Sequence, residues 1–308
     1  MNSEVDVDDE LELVVAHVRG LDPVGLRVAR TLRYTFDQIY DGRRTGRYAW
    51  GQLAKTEKTH FGSLIEINLQ REFGFADGVD LDFSIAGVDV DCKWSQHDGG
   101  WMIPPEAVGR LCMVIHGSDQ RSEWSLGVVR ASDERLNRGS NRDLKRTLNP
   151  AGRATVRWLF RQQILQENTL LHLDIATVEH LLNNLGGPRR GQLRINEFFR
   201  LVTERPIGRG VIATLAQQDD YMKRVRANGG ARTALRAEGV VIFGDDAHHQ
   251  VIVQQLGLPP LGAGESMSAR LVRVDGPDEG AALIDGEWFR RCREAEEPTR
   301  PAPLLPRS

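Results

Sequence analysis

The sequence is short of cysteine. Its three, Cys92, Cys112 and Cys292, are odd in number and have no CxxC spacing, which disfavours a disulfide framework, a cysteine-built zinc site and a secreted life. Long apolar runs are missing too. No stretch approaches the roughly 18 residues needed to cross a bilayer, so no membrane partner is expected. The first twelve residues contain no base and six acids, Glu4, Asp6, Asp8, Asp9, Glu10 and Glu12, the reverse of a secretory leader. These absences point to a cytoplasmic protein. What is present is ordinary globular material: 308 residues, 40% hydrophobic and 27% charged, enough for two domains with separate cores.

Charge is abundant but segregated. The net charge is only −3, yet Arg135 to Arg161 holds eight bases against one acid, Asp143. From Arg189 to Arg236 eleven bases face four acids. The acidic N-terminus and the Glu294–Glu297 stretch restore the balance. One basic block in each half suggests a polyanion-binding face on each. Charge alone fits solvated helix faces equally well.

The first clear element runs from Asp22, a capping residue followed by Pro23, to Tyr40, with Val28, Leu32, Phe36 and Ile39 as its apolar stripe. A polar, basic loop follows (Arg43, Arg44, Arg47, Lys55, Lys58), and Gly62–Phe73 reads as a second helix. Next come a hairpin, Leu81–Ile85 and Val88–Trp94, and two β-rich runs, Leu111–His116 and Trp124–Ala131. Asn149-Pro150 then opens a helix expected to reach Gln163. This alternation makes the first 160 residues or so an α/β domain. Further on, Gln192–Thr203, Val211–Arg226 and Ala231–Glu238 read as helices, Val240–Phe243 as a strand and Ala247–Leu256 as a helix. Three helices and a β-segment suit a winged helix-turn-helix-like, mainly α domain. The tail from Glu297, with Pro298, Pro301, Pro303 and Pro306, is expected to be disordered or an extended arm.

The hairpin carries the chemistry. A two-residue turn at Ala86-Gly87 pairs Ile85 with Val88 and Phe83 with Val90, and sets Asp82 opposite Asp91. Side chains alternate, so Asp82, Asp89, Asp91 and Lys93 share the face away from Phe83, Ile85, Val88 and Val90. Two carboxylates directly opposite repel and need positive charge between them. Lys93 supplies part, and a divalent cation would supply the rest. Hard oxygen ligands favour Mg²⁺, which keeps several waters and needs few carboxylates. Glu66, embedded in Leu64-Ile65-Glu66-Ile67, adds a third acid. His60 and His97 flank the region without ligand spacing. Asp-x-Lys on a strand is otherwise usually a solvated face.

An acid on a helix, an acid on a strand and Asp-x-Lys on the next strand together resemble the PD-(D/E)xK nuclease core. Four longer strings are similar to NaeI-type restriction endonucleases: Thr31-Leu-Arg-Tyr-Thr-Phe-Asp-Gln38, Lys55-Thr-Glu-Lys-Thr-His60, Ile85-Ala-Gly-Val-Asp-Val-Asp-Cys-Lys93 and Gly99-Gly-Trp-Met-Ile-Pro-Pro105. Past residue 170 the resemblance rests on Arg194-Ile-Asn-Glu-Phe198 and Ala216-Gln-Gln-Asp-Asp220. It implies a restriction-endonuclease-like mixed sheet flanked by helices, in a Mg²⁺-dependent homodimer that cuts both strands of duplex DNA. It implies that a second domain, built around a helix-turn-helix-like motif, binds another DNA copy as effector. The substrate implied is a GC-rich palindrome. The family's catalytic set falls on Glu66, Asp82, Asp91 and Lys93, with the three acids as metal ligands.

The resulting layout is a catalytic, dimerising endonuclease domain over 1–165, a linker over 166–172, an effector-binding domain over 173–296 and a Pro-rich tail over 297–308. DNA contacts are expected from Lys55 and Lys58, from Arg138, Arg142, Lys145 and Arg146, and from Arg224, Arg226, Arg232 and Arg236, the last two on the expected recognition helix. Ile39-Tyr-Asp-Gly-Arg-Arg44 resembles the K-x-D-G-x-R motif of DNA ligases, but isoleucine replaces the lysine nucleophile. It reads as a helix terminus. Two rivals remain: a structure- or mismatch-specific repair nuclease on the same core, and a non-catalytic DNA-binding regulator.

Overall fold

Leu11, Val14, Val15 and Val18 recur at helical spacing, and all four are buried along one side of α1 (Asp9–Leu21), where Asp8 caps the first turn. The sequence reading passed over this helix. The structure, a computed structural model, describes residues 8–185 and 190–306. Glu4 and Asp6 of the acidic N-terminus, Arg189 of the second basic block and the last two residues of the tail lie outside them.

After α1 come α2 (Leu26–Tyr40), a one-turn helix α3 (Gly42–Thr45) and α4 (Lys55–Phe73). Helix α2 starts at Leu26 rather than Pro23, yet Asp22 still caps it, because its Oδ2 accepts from the Val28 amide at 3.0 Å. Ile39 is buried and the helix ends at Tyr40, after which Asp41 turns left-handed (φ 46°). Lys55 and Lys58 are not in a loop: they occupy the first turn of α4, where Glu57 accepts from the Ala54 amide.

Six strands form one mixed sheet: β1 (Ala76–Asp77), β2 (Phe83–Ile85), β3 (Val88–Ser95), β4 (Leu111–Ser118), β5 (Glu123–Arg130) and β6 (Arg157–Ile164), in the order β1-β2-β3-β4-β5-β6. Only β3 and β4 run parallel. Helix α1 packs on β5 and β6, and α4 packs on β3. Trp101, Ile103, Leu136 and Leu148 gather over Cys112, Val114 and Val129. Strand β4 is buried at all eight positions.

The helix expected over 150–163 is instead α5 (Pro150–Ala154) followed by β6. Asn149 and Pro150 start the helix as expected, with Asn149 Oδ1 accepting from Gly152. Val156, Leu159, Phe160 and Gln163 then mimic helical spacing. Pairing with β5 and the β-branched and aromatic residues Val156, Trp158 and Phe160 prevail.

The chain divides into two compact units, one comprising residues up to Ile39 and Trp50–Gln166, the other Tyr40–Ala49 and Glu167 onward. The first unit is thus interrupted by ten residues that belong to the second. Within the second unit the Tyr48 carbonyl accepts from Asn168 Nδ2 at 2.8 Å, and the Tyr48 ring packs on the helical core.

After a short helix α6 (Ile175–Glu179), that helical core lies among α7 (Arg190–Leu201), α8 (Arg209–Ala216) and α9 (Ala231–Ala234), with Phe198, Phe199, Ile212 and Leu215 at its centre. Helix α8 stops ten residues short of the expected Arg226: Gln217 turns left-handed, and Arg194 donates to the carbonyls of Leu215 and Ala216. Residues 231–238 make one α turn and one 3₁₀ turn.

This unit is not mainly α. It holds a four-stranded antiparallel sheet, β7-β8-β10-β9, from β7 (Val240–Gly244), β8 (Ser266–Val274), β9 (Ala281–Ile284) and β10 (Glu287–Arg291), with α10 (Ala247–Gln255) packed against it. The Pro-rich tail is an extended arm. Ala302 is buried, and its amide donates to the Arg236 carbonyl at 2.8 Å.

The turn at Ala86 (φ 52°) and Gly87 (φ 81°) has both central residues at positive φ, as a type I′ hairpin requires. Alanine is strained there. Ala86→Asn should raise the unfolding free energy by about 0.5–1 kcal/mol, measured by urea denaturation. A loss of stability would contradict this turn geometry.

Candidate active site

The hairpin register follows from its turn. Ile85 pairs with Val88, Ser84 with Asp89 and Phe83 with Val90. Asp82 lies one residue before β2, where the same count sets it opposite Asp91. Its carboxylate turns back so that Oδ2 accepts from the Cys92 amide at 2.7 Å.

Lys93 Nζ lies 2.6 Å from Asp91 Oδ1, 3.0 Å from the Cys92 carbonyl and 3.5 Å from Asp82 Oδ2. The three side chains therefore converge. Asp89 does not join them, because both its oxygens accept from backbone amides of Val79 and Asp80.

Asp91 is not on a solvated face: it is only 3% exposed. The parallel neighbour β4 sets Cys112 beside it, and the Cys112 thiol reaches Asp91 Oδ2 at 3.8 Å. Burial, with a smaller contribution from the Asp82 charge, pushes the Asp91 carboxyl up to about 6, against the pull of Lys93. Burial works to deprotonate Lys93, but Asp91 and Asp82 outweigh it and hold the ammonium charged. Glu66, from α4, is raised by burial first and by the Asp82 charge second, with Lys93 opposing. That places Glu66 in the same electrostatic field, although no hydrogen bond ties it to the other three.

The cluster thus holds three carboxyls against one ammonium. Among the described residues, no three His, Cys, Asp or Glu side chains stand together at metal-holding spacing. Magnesium, however, needs only one or two carboxylates, with water and substrate oxygens completing its octahedron. Asp82 and Asp91 fit that demand. Burial and the Asp91 charge push the Cys112 thiol far up, so it stays protonated and the available donors are hard oxygens.

The expected DNA-contact residues divide by their partners. Arg138 and Arg142 are exposed in a loop closed by the Leu136–Leu148 bridge. Lys145 is half-buried in the same loop, and Arg146 pairs with Asp133 at 2.7 Å. Lys55 is exposed and Lys58 half-buried.

In the second unit Arg226 is exposed, whereas Arg232 is turned inward, its Nε donating to the Ile242 carbonyl at 2.8 Å. The Nε atoms of Arg224 and Arg236 are buried without a hydrogen-bond partner. Other bases of that block are also engaged: Arg200 by Glu197 and Glu238, and Arg205 by Glu167. Sequence counting missed these pairings because most of the partners are distant in the chain.

A stability signature follows from the buried carboxyl. The Asp91 carboxyl rises from an ordinary 3.8 to about 6, so between those values the folded chain keeps a proton that the unfolded chain releases. Stability should fall as pH rises through that window, with the penalty complete above it. Without divalent cations, Asp91→Asn should therefore raise the unfolding free energy at pH 8, and with it the urea midpoint, by the order of 1–3 kcal/mol of free energy, and the gain should vanish toward pH 4. An unchanged or lowered midpoint at pH 8 would contradict the charge imbalance.

The family model described as restriction endonuclease NaeI matches residues 12–301. The type II restriction enzyme NaeI of Lentzea aerocolonigenes is 49% identical over 304 residues, covering 97% of this chain and 95% of the relative. Matches of this length and identity span both compact units, and the chain belongs to the NaeI family of restriction endonucleases.

Proposed function

We propose that the chain is a type II restriction endonuclease that cleaves both strands of duplex DNA at a specific palindrome, GC-rich as the family resemblance implies, with Mg²⁺ as cofactor. The observation that carries this reading is the convergence of Asp82, Asp91 and Lys93 on one hairpin, with Glu66 in the same field. We assign the metal to Asp82 and Asp91, with Glu66 holding it directly or through water. When bound, it supplies Lewis-acid polarisation of the phosphate and a more acidic water. Lys93, held charged by two carboxylates, orients the attacking water and stabilises charge building on the phosphate oxygens. In-line attack breaks the P–O3′ bond and leaves a 5′-phosphate and a 3′-hydroxyl.

Arg138, Arg142, Lys145 and Arg146 are assigned to the substrate duplex, with Lys55 and Lys58 near the start of the helix that carries Glu66. Most such contacts position the backbone and do not read bases. Two cuts in a palindrome suit a homodimer, one active site per strand. The stretch from α8 to α9 is read as the helix-turn-helix-like element that takes a second DNA copy as effector. Exposed Lys223 and Arg226 are its foremost phosphate contacts, with Arg224 and Arg236 behind them and Arg232 bracing β7.

Incubating mixed-sequence duplex with Mg²⁺ and mapping the ends should yield discrete 5′-phosphate ends at one palindrome. Asp91→Ala and Lys93→Ala should each slow cleavage at least about a hundredfold while sparing duplex binding. Ends at lesions would favour a repair nuclease, and no ends at all a non-catalytic regulator.

The effector assignment is tested separately. A plasmid with one site should be cut slowly, and a short cognate duplex added in trans should speed it, because the second site must favour the competent state. Replacing Lys223 and Arg226 by alanine should remove that stimulation and reduce the salt slope of effector binding by roughly 0.9 per lost phosphate contact. A cutting rate indifferent to the added duplex would overturn the assignment.

A further inference from the structure

Asp89 has the chain position of a catalytic acid and none of its surroundings. It lies two residues before Asp91 on β3, with Ser84 opposite it. Its carboxylate nevertheless points to the segment that precedes β2. Oδ1 accepts from the Val79 amide at 2.9 Å and Oδ2 from the Asp80 amide at 3.0 Å. These two amides hold the Asp89 carboxyl below its ordinary range, so both of its oxygens are engaged by the loop.

The segment it grips is tightly folded. A side chain at Gly78 would overlap the Leu81 carbonyl and would come within 3.2 Å of Asp89 Oδ1. Only glycine lets the backbone close on itself there. Arg110 fastens the same segment from the neighbourhood of β4, with its guanidinium 2.9 Å from Asp80 Oδ2. The next residue after this clamp is Asp82, whose Oδ2 accepts from Cys92 and faces Lys93.

Asp82 belongs to no regular strand, so the ladder alone does not fix it. The neighbouring strand does so twice, at Cys92 through the backbone and at Asp89 through the 78–81 loop. We propose that Asp89 is a positioning residue for the active site, holding the Gly78–Leu81 loop so that the Asp82 carboxylate meets Lys93 and a divalent cation. One strand then organises both acids: β3 carries Asp91 and Lys93 itself and holds Asp82 through Asp89. This assignment rests on the proposed role of Asp82 and Asp91.

The test uses the full chain in six forms: wild type, Asp89→Ala, Asp89→Asn, Gly78→Ala, the Asp89→Ala/Gly78→Ala double variant and Asp91→Ala. Two quantities are read beside thermal stability and duplex affinity. One is the Mg²⁺ concentration giving half-maximal cleavage. The other is Mn²⁺ binding by electron paramagnetic resonance without turnover. Groups that orient a metal ligand typically change affinity or activity 10–100-fold.

Asp89→Ala should therefore raise the Mg²⁺ requirement and weaken Mn²⁺ binding by roughly tenfold or more, with duplex affinity unchanged. Asp89→Asn keeps one acceptor oxygen and should fall between Asp89→Ala and wild type. It also decides the matter if the alanine form does not fold. Gly78→Ala acts on the same loop, so its effect should not add to that of Asp89→Ala.

A variant that loses thermal stability but keeps the wild-type Mg²⁺ requirement and Mn²⁺ affinity would overturn the inference, leaving Asp89 a structural residue only. The Asp91→Ala control separates the two levels. If it cuts like wild type, the site reading itself falls. If it is inactive while both Asp89 forms handle metal as wild type does, only the positioning role falls.

Discussion

Two carboxylates and a lysine forced together on a buried hairpin are the constraint from which the rest of this account follows. The turn at Ala86-Gly87 sets the register, the register sets Asp82 against Asp91, and the pleat sets Lys93 on their side. Burial of Asp91 beneath Cys112 then makes the imbalance costly, because a buried charge needs full compensation. One ammonium cannot compensate two carboxylates and a nearby glutamate. A site that is short of positive charge when empty, and rich in hard oxygen, suits a divalent cation and a phosphate delivered together.

Much of this was legible before the structure, because a hairpin is governed by arithmetic. Once two residues form the turn, every pair along the ladder follows, and the expected pairs Phe83–Val90 and Ser84–Asp89 are observed. The exposure of the face was not legible. Asp-x-Lys alternation looks solvated until the parallel partner β4 is known, since it is β4 that sets Cys112 against Asp91. The bonds of Asp89 were not legible either: its partners, the amides of Val79 and Asp80, are set by a loop and leave no pattern in side-chain spacing.

The second unit was harder. Asp285-Gly286, both at positive φ, is a strong hairpin signal that joins β9 to β10, and the reading passed over it. The helix expected through Arg226 was broken by Arg194, which caps α8 from about twenty residues away. No local propensity reveals such a cap. The basic block also counted for more in the sequence than in space, since Arg200 and Arg205 are spent on glutamates and Arg232 on a carbonyl. Net charge over a segment marks a polyanion site only after such pairs are removed.

The central claim, that the Asp82–Asp91–Lys93 cluster is a cation site for phosphodiester cleavage, is open to one direct measurement. Crystals of the chain with a bound duplex and Mn²⁺ should show an anomalous scattering peak between the carboxylates of Asp82 and Asp91, next to a backbone phosphate and beside Lys93 Nζ. A peak at another cluster of oxygens, with none between these two aspartates in crystals that still cleave DNA, would contradict the account.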